Sequence, residues 1–277
     1  MDFSNIALFS DLDGTLFDRD LRVSPENRAA LERFVDGGGL FGISTGRSPS
    51  NAALLLPELP INTWSVVLGG AEAYRFSSRT VAFPRTLTRL RMAVFLRTVL
   101  QLLPEVTVLV CSESCLFFLS PPQQVDRAFL DSHQPASFVT LERALQFPWL
   151  KVLFHAPREL LRRLEEGAAK RGVFEVCCRV YTQPDYLELL PVGTNKGACL
   201  HRLRNMEELL GRTIVAVGDW TNDLELLGEA DVAVAVENAL PEVKYRADFL
   251  TTDHNNHALA HLIHHILPQI RRQEPGG

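Results

Sequence analysis

Two pairs of aspartates carry the chemistry this sequence suggests. Asp11 and Asp13 stand two residues apart in Phe9-Ser10-Asp11-Leu12-Asp13-Gly14-Thr15-Leu16-Phe17-Asp18, and Asp219 and Asp223 flank Trp220-Thr221-Asn222. A spacing of two in an extended chain puts both carboxylates on one side. Each pair follows an apolar run, 6–9 and 213–218, that reads as a buried parallel strand. The carboxyl ends of such strands are where open α/β sheets bind ligands. Two carboxylates ~5 Å apart at an effective dielectric near 20 repel by roughly 3 kcal/mol. Several such pairs call for a cation, and a donor set made of oxygens favours Mg²⁺, which usually keeps waters and a substrate phosphate. Lys196 supplies one more positive charge. Thr45 offers a hydroxyl at the end of a further strand, before a glycine and a capped helix, where it can grip a phosphate oxygen. The ligand these groups imply is a phosphoryl group held through metal. The plainer account of the first pair is a strand end with two solvated aspartates.

The elements that position these groups follow from local signals. Gly14 and Thr15 stop the first strand and let the backbone turn. Ser24 as N-cap with Pro25 at the first helical position starts a helix whose apolar stripe is Ala29, Ala30, Leu31, Phe34 and Val35. Gly37-Gly38-Gly39 ends that helix; the triplet precedes a strand, so it lacks the context of a dinucleotide fingerprint. Strands are expected at 40–44 and 64–68, and the βαβαβ alternation predicts a parallel α/β sheet. From about Arg85 to Leu189 the pattern changes to a helix (88–103), two short strands (106–111 and 115–119), a loop-rich helical stretch, a strand (151–155), a helix (157–170) and two further strands. Strands without helices between them pair antiparallel, so this segment reads as an inserted α+β module. After Pro191 a helix carries Ala198, Leu200 and Leu203, followed by strands at 213–218 and 231–236, a helix near 241–247, a short strand at 249–251, a C-terminal helix and a polar tail. Pro191-Val192-Gly193-Thr194-Asn195-Lys196-Gly197 resembles a Walker loop only superficially, because its first glycine and its spacing are wrong.

Bulk properties narrow the function. The 277 residues suit one large or two modest domains, and 46% hydrophobic content is that of a globular protein. A net charge of -5 and the lack of a long basic run argue against nucleic acid as a partner. No apolar run approaches the ~20 residues needed to cross a bilayer. The start, Met1-Asp2-Phe3-Ser4-Asn5, has no basic region ahead of an apolar core, and five cysteines without a C-x-x-C pair read as reduced thiols. A cytoplasmic protein is expected. His257, His261 and His265 share a helical face that could capture a soft metal, with a solvated face as the plain alternative.

Four segments carry a family resemblance. Asp11-Leu12-Asp13-Gly14-Thr15-Leu16, Ser44-Thr45-Gly46-Arg47, Asn195-Lys196-Gly197 and Gly218-Asp219-Trp220-Thr221-Asn222-Asp223 resemble, in order, the four motifs of the haloacid dehalogenase superfamily. The inserted module resembles the large α/β cap of its Cof-type phosphatases, through Trp149-Leu150-Lys151-Val152 and Tyr186-Leu187-Glu188-Leu189. Val234-Ala235-Val236-Glu237-Asn238-Ala239 with Ala247-Asp248 is similar to the branch's tail. Two positions depart from the pattern. The branch commonly reads Asn-Gly-Ala where this chain has Gly69-Gly70-Ala71, which removes a substrate-side contact. Asn256-His257-Ala258 replaces a usual glycine-valine pair at the start of the last helix.

The resemblance implies a Rossmann-like parallel core, residues 1–84 and 190–277, with an α+β cap inserted at 85–189. It implies a Mg²⁺-dependent phosphatase of small phosphorylated metabolites such as sugar phosphates or phosphorylated cofactors. Asp11 would attack phosphorus and Asp13 would protonate the leaving oxygen and then activate water. Thr45, the Gly46 amide, Lys196 and Asn222 would hold phosphoryl oxygens. Mg²⁺ would sit on Asp11, the Asp13 carbonyl and Asp219, with Asp223 nearby. A phosphomutase is the near alternative and would need phosphate-binding arginines in the cap, where residues 151–190 offer Arg158, Arg162, Arg163, Arg171 and Arg179. A non-catalytic phospho-ligand sensor is the alternative of another class. It would be marked by loss of the nucleophile or the acid, and both are present. Dehalogenase chemistry needs neither Asp13 nor metal and is disfavoured.

Overall fold

The computed structural model describes residues 1–56, 59–113, 115–132 and 135–270. The expected polar tail, 271–277, lies outside the described residues. Five parallel strands make the core sheet, in the order β14 (Phe249–Thr251), β13 (Val232–Val236), β12 (Thr213–Gly218), β1 (Ile6–Ser10) and β2 (Leu40–Ile43). All five residues of β1 are buried, as a strand covered on both faces requires. The register Ser10↔Val217 brings the ends of β1 and β12 level, so the residues that follow them, Asp11 and Asp219, emerge side by side.

Helices cover this sheet where the sequence signals placed them. Ser24 caps Pro25–Asp36 by accepting from the Asn27 amide at 3.2 Å, and Gly37 closes that helix. Ser48 caps Pro49–Leu55 in the same way, and Asn195 caps Lys196–Leu203 by accepting from the Ala198 amide at 2.7 Å. The last helical run covers 258–270, with a wider π turn at Leu262–Ile266. His257 precedes it with φ +59°, the left-handed region that favours glycine. The replaced glycine noted in the sequence thus falls on the backbone position where its loss is felt.

The strand expected at 64–68 behaves differently from a regular third member of the sheet. β3 (Ser65–Val67) is not a member of the five-stranded sheet; among the described residues its ladder pairing with that sheet is one parallel bridge, Ser44↔Val66, beside a hydrogen bond from the Ile43 amide to Ser65 Oγ at 3.1 Å. It pairs mainly with an antiparallel hairpin, β4 (Glu72–Arg75) and β5 (Thr80–Ala82), which the sequence reading did not foresee. The cause is local: Gly69 and Gly70 take φ +66° and +95° and turn the chain back directly after β3.

The inserted module has its own six-stranded sheet, ordered β10 (Cys177–Gln183), β11 (Tyr186–Pro191), β9 (Lys151–His155), β6 (Thr107–Cys111), β7 (Leu116–Phe118) and β8 (Ser137–Phe138). Its pairings are antiparallel except β7 with β8. Arg89–Leu102 and Arg158–Lys170 pack on this sheet and close a second apolar core around Trp149, Phe154 and Leu161. β11 runs on to Pro191, across the expected boundary at 189/190.

Candidate active site

Asp11 leaves β1 with its amide still bonded to the Val217 carbonyl at 3.0 Å, so the main chain fixes the origin of its side chain. The turn behind it depends on Gly14. With φ +78° it adopts a left-handed conformation, and a Cβ there would stand 2.5 Å from an Asp219 oxygen. The next residue, Thr15, donates to Asp219 Oδ1 at 3.2 Å. The first motif therefore shapes the seat of the fourth.

Lys196, at the first turn of its helix, is almost fully buried and spans two carboxylates. Its Nζ donates to Asp11 Oδ1 at 2.7 Å and to Asp223 Oδ1 at 2.6 Å. Asp223 Oδ2 accepts from the amides of Asp219 and Trp220 at 3.1 and 3.3 Å, so both oxygens of this buried residue are engaged. Asp223 thereby ties the lysine to the loop that carries Asp219. One oxygen each from Asp11, Asp219 and Asp223 can lie within 4.8 Å of one another, and among the described residues this is the group of three that could hold a metal ion. The histidine row does not join it. His257 lies outside the helix and its Nδ1 meets Ser24 Oγ at 2.9 Å, while His261 Nδ1 meets Thr251 Oγ1 at 3.0 Å.

Charge crowding shows in the proton affinities. Burial, then the neighbouring Asp223, push Asp219 up to about 7, against the pull of Lys196 and the Thr15 hydroxyl. Burial also raises Asp11 well above the usual carboxylate range, with Lys196 opposing and Asp223, Asp219 and Asp13 adding to it. Lys196 is held protonated: burial works against its charge, but the two carboxylates outweigh it and raise its pKa.

These groups sit at a cavity of about 710 Å³ between the core and the inserted module. Asp11, Asp13, Gly46, Asp219 and Asn222 line it, whereas Thr45, Lys196 and Asp223 do not. Thr45 is buried, and its hydroxyl accepts from the Arg47 amide at 3.1 Å. Asn222 Oδ1 is buried without a hydrogen-bond partner.

Three residues with evident parts here were not assigned any from the sequence. Arg47 donates from Nε to Asp13 Oδ2 at 2.8 Å and from Nη2 to Asp13 Oδ1 at 2.6 Å, and its Nη1 donates to Asn51 Oδ1 at 2.7 Å. From the module side, Lys151 and Glu188 form a buried ion pair at 2.7 Å, and Lys151 Nζ reaches across to the Gly46 carbonyl at 2.6 Å. The signal was present as a lone charge in each of two apolar strands, since an unpaired buried charge is too costly to keep.

Comparison with known proteins agrees with this architecture. The profile of the haloacid dehalogenase-like hydrolase family matches residues 8–263. A 5-amino-6-(5-phospho-D-ribitylamino)uracil phosphatase of Bacillus subtilis is 26% identical over 93% of this chain and 96% of its own length. An HMP-PP phosphatase of Serratia proteamaculans is 28% identical over 84% of each. The crystal structure of a haloacid dehalogenase-like hydrolase from Bacteroides thetaiotaomicron superposes with a TM-score of 0.82, at 23% identity, over 94% of this chain and 98% of that one. The chain belongs to the haloacid dehalogenase-like hydrolase family, as a phosphatase-type member with an inserted cap of the Cof type.

Proposed function

We propose that this protein is a Mg²⁺-dependent phosphomonoesterase that hydrolyses small phosphorylated metabolites, sugar phosphates or phosphorylated cofactors, through an aspartyl-phosphate on Asp11. The observation that carries this is the Lys196 bridge: one ammonium holds an Asp11 oxygen at 2.7 Å, and Asp11 lines a cavity together with Asp13 and Asp219. Relatives named as phosphatases of small phosphorylated compounds support it.

The donor set fits a hard cation. One oxygen from each of three carboxylates lies within 4.8 Å of the others, and among the described residues no histidine or cysteine joins this group. Asp11 and Asp219 would hold Mg²⁺ with the Asp13 carbonyl and Asp223 nearby. Bound there, the ion supplies positive charge to the phosphoryl oxygens.

The residues do the rest. Lys196 keeps Asp11 oriented with one oxygen bonded and the other turned to the substrate. That oxygen attacks phosphorus while the ester P–O bond breaks and Asp13 gives its proton to the departing alkoxide. Water then attacks the acyl phosphate. Its proton passes to Asp13, the P–O bond to Asp11 breaks, and phosphate leaves with the nucleophile restored. Thr45, Gly46 and Asn222 hold phosphoryl oxygens in this reading, with Lys196 offsetting charge.

Residues 85–189 act as a lid over this site. Arg85 Nη2 donates to the Val192 carbonyl at 2.8 Å, which ties its two connections together at one hinge. A phosphomutase is less well supported, because none of Arg158, Arg162, Arg163, Arg171 and Arg179 is among the cavity's lining residues. All five cysteines are free, which supports a reducing, cytoplasmic setting, and no helix among the described residues is long and apolar enough to cross a membrane. A phosphate-release screen over a metabolite panel tests the proposal. Release with Mg²⁺, lost on chelation and restored by Mg²⁺, is expected; no release from any ester contradicts it.

A further inference from the structure

Glu188 stands out among the residues the mechanism leaves unused. Its side chain is 3% exposed and that of its partner Lys151 is 4% exposed, yet both line the cavity that holds Asp11 and Asp13. Glu188 Oε1 is fully occupied: it accepts from Lys151 Nζ at 2.7 Å and from Thr182 Oγ1 at 3.4 Å. Glu188 Oε2 is buried and has no hydrogen-bond partner. A buried acceptor left so is costly, more when charged.

Two glycines of the core lie against this carboxylate. A Cβ on Gly46 would stand 3.7 and 3.9 Å from its two oxygens, which sets Glu188 directly over the expected phosphate loop. A Cβ on Gly69 would stand 3.7 Å from Oε2 and 3.2 Å from Leu190 Cδ1. A side-chain amide at 69 would therefore be within reach of Oε2, and glycine offers no such donor.

We propose that Glu188 Oε2 selects the leaving group: it accepts a hydrogen bond from an O–H or N–H carried close to the ester oxygen, and its charge rejects a second anionic group there. The substrates would be phosphate esters of polyols or amino alcohols and not phosphorylated acids. The proposal rests on the phosphatase reading above. Lys151 serves as a positioning residue, since it fixes Oε1 and docks the pair on the Gly46 carbonyl. Selection of this kind is strong, because an analogue lacking the donor leaves the buried acceptor unpaired again.

Three esters test it: glycerol 1-phosphate, propyl phosphate and 3-phosphoglycerate, compared by kcat/KM with Mg²⁺ in the full-length protein. Glycerol 1-phosphate is expected to exceed each of the others by at least about tenfold. Gly69→Asn puts an amide beside Oε2 at a φ that asparagine tolerates, and should bring propyl phosphate to within about threefold of glycerol 1-phosphate. Glu188→Gln removes the charge and should raise 3-phosphoglycerate relative to glycerol 1-phosphate by at least about tenfold. Native ratios near one overturn the proposal, as do ratios unmoved in either folded variant. Dissociation constants of the same esters, read by ligand-observed NMR, separate the two readings. A protein that turns over no ester contradicts the phosphatase proposal, while its binding ranking still decides this one.

Discussion

Arg47 grips both carboxylate oxygens of Asp13, with Nε 2.8 Å from Oδ2 and Nη2 2.6 Å from Oδ1, while Asn51 holds the far side of the guanidinium. In the proposed mechanism Asp13 gives and takes a proton, and a fork of two parallel bonds fixes its plane as a single bond would not. Arg47→Lys keeps the charge and loses the fork. Steady-state kinetics on one ester should show kcat down by roughly ten- to a hundredfold with KM changed far less. A change confined to KM would make Arg47 a substrate-binding group.

Asp13 itself separates from the nucleophile by leaving group. Protonation matters most for an alkyl ester and least for an aryl ester, whose phenolate departs without help. Asp13→Asn should therefore slow an alkyl phosphate at least about tenfold more than 4-nitrophenyl phosphate. Equal losses on both would assign Asp13 to charge or metal binding.

Glu72 predicts a pH dependence of stability. Both its oxygens are buried without a hydrogen-bond partner, and burial, with Glu113 adding, pushes its pKa up to about 8 from 4.5. The folded-state pKa is the higher one, so its contribution is fully present below about 4.5 and is lost as pH rises through about 8. Glu72→Gln removes this loss. Thermal melts should show the variant close to the parent at pH 5 and more stable by a few kcal/mol at pH 9, on the order of 2–4. A gap that does not change with pH would mean that Glu72 keeps its charge in the fold.

What was legible in the sequence is what local chemistry dictates. Asp11, Asp13 and Asp219 were readable because an apolar run ending in carboxylates has few structural uses. Lys196 followed from its motif. The hairpin of β4 and β5 was not readable: its strands are short, β5 is largely exposed, and the return from β3 into β4 depends on two glycines whose φ the sequence does not state. The histidine row failed for the opposite reason. Its spacing presumed an unbroken helix, but His257 sits in the left-handed region before the first turn. Lys151 and Glu188 showed as charges in apolar strands, yet only the register of β9 with β11 makes them a pair facing Gly46.

Replacing one carboxylate oxygen of Asp11, the proposed nucleophile, by an amide group changes its chemistry with little change of shape. Phosphate release by purified Asp11→Asn, with Mg²⁺ and the best ester of the panel, is the measurement. With Asp11 as the nucleophile, kcat falls by at least about a thousandfold and the melting transition is retained. A folded Asp11→Asn protein that keeps a tenth or more of the parent's rate would contradict that role.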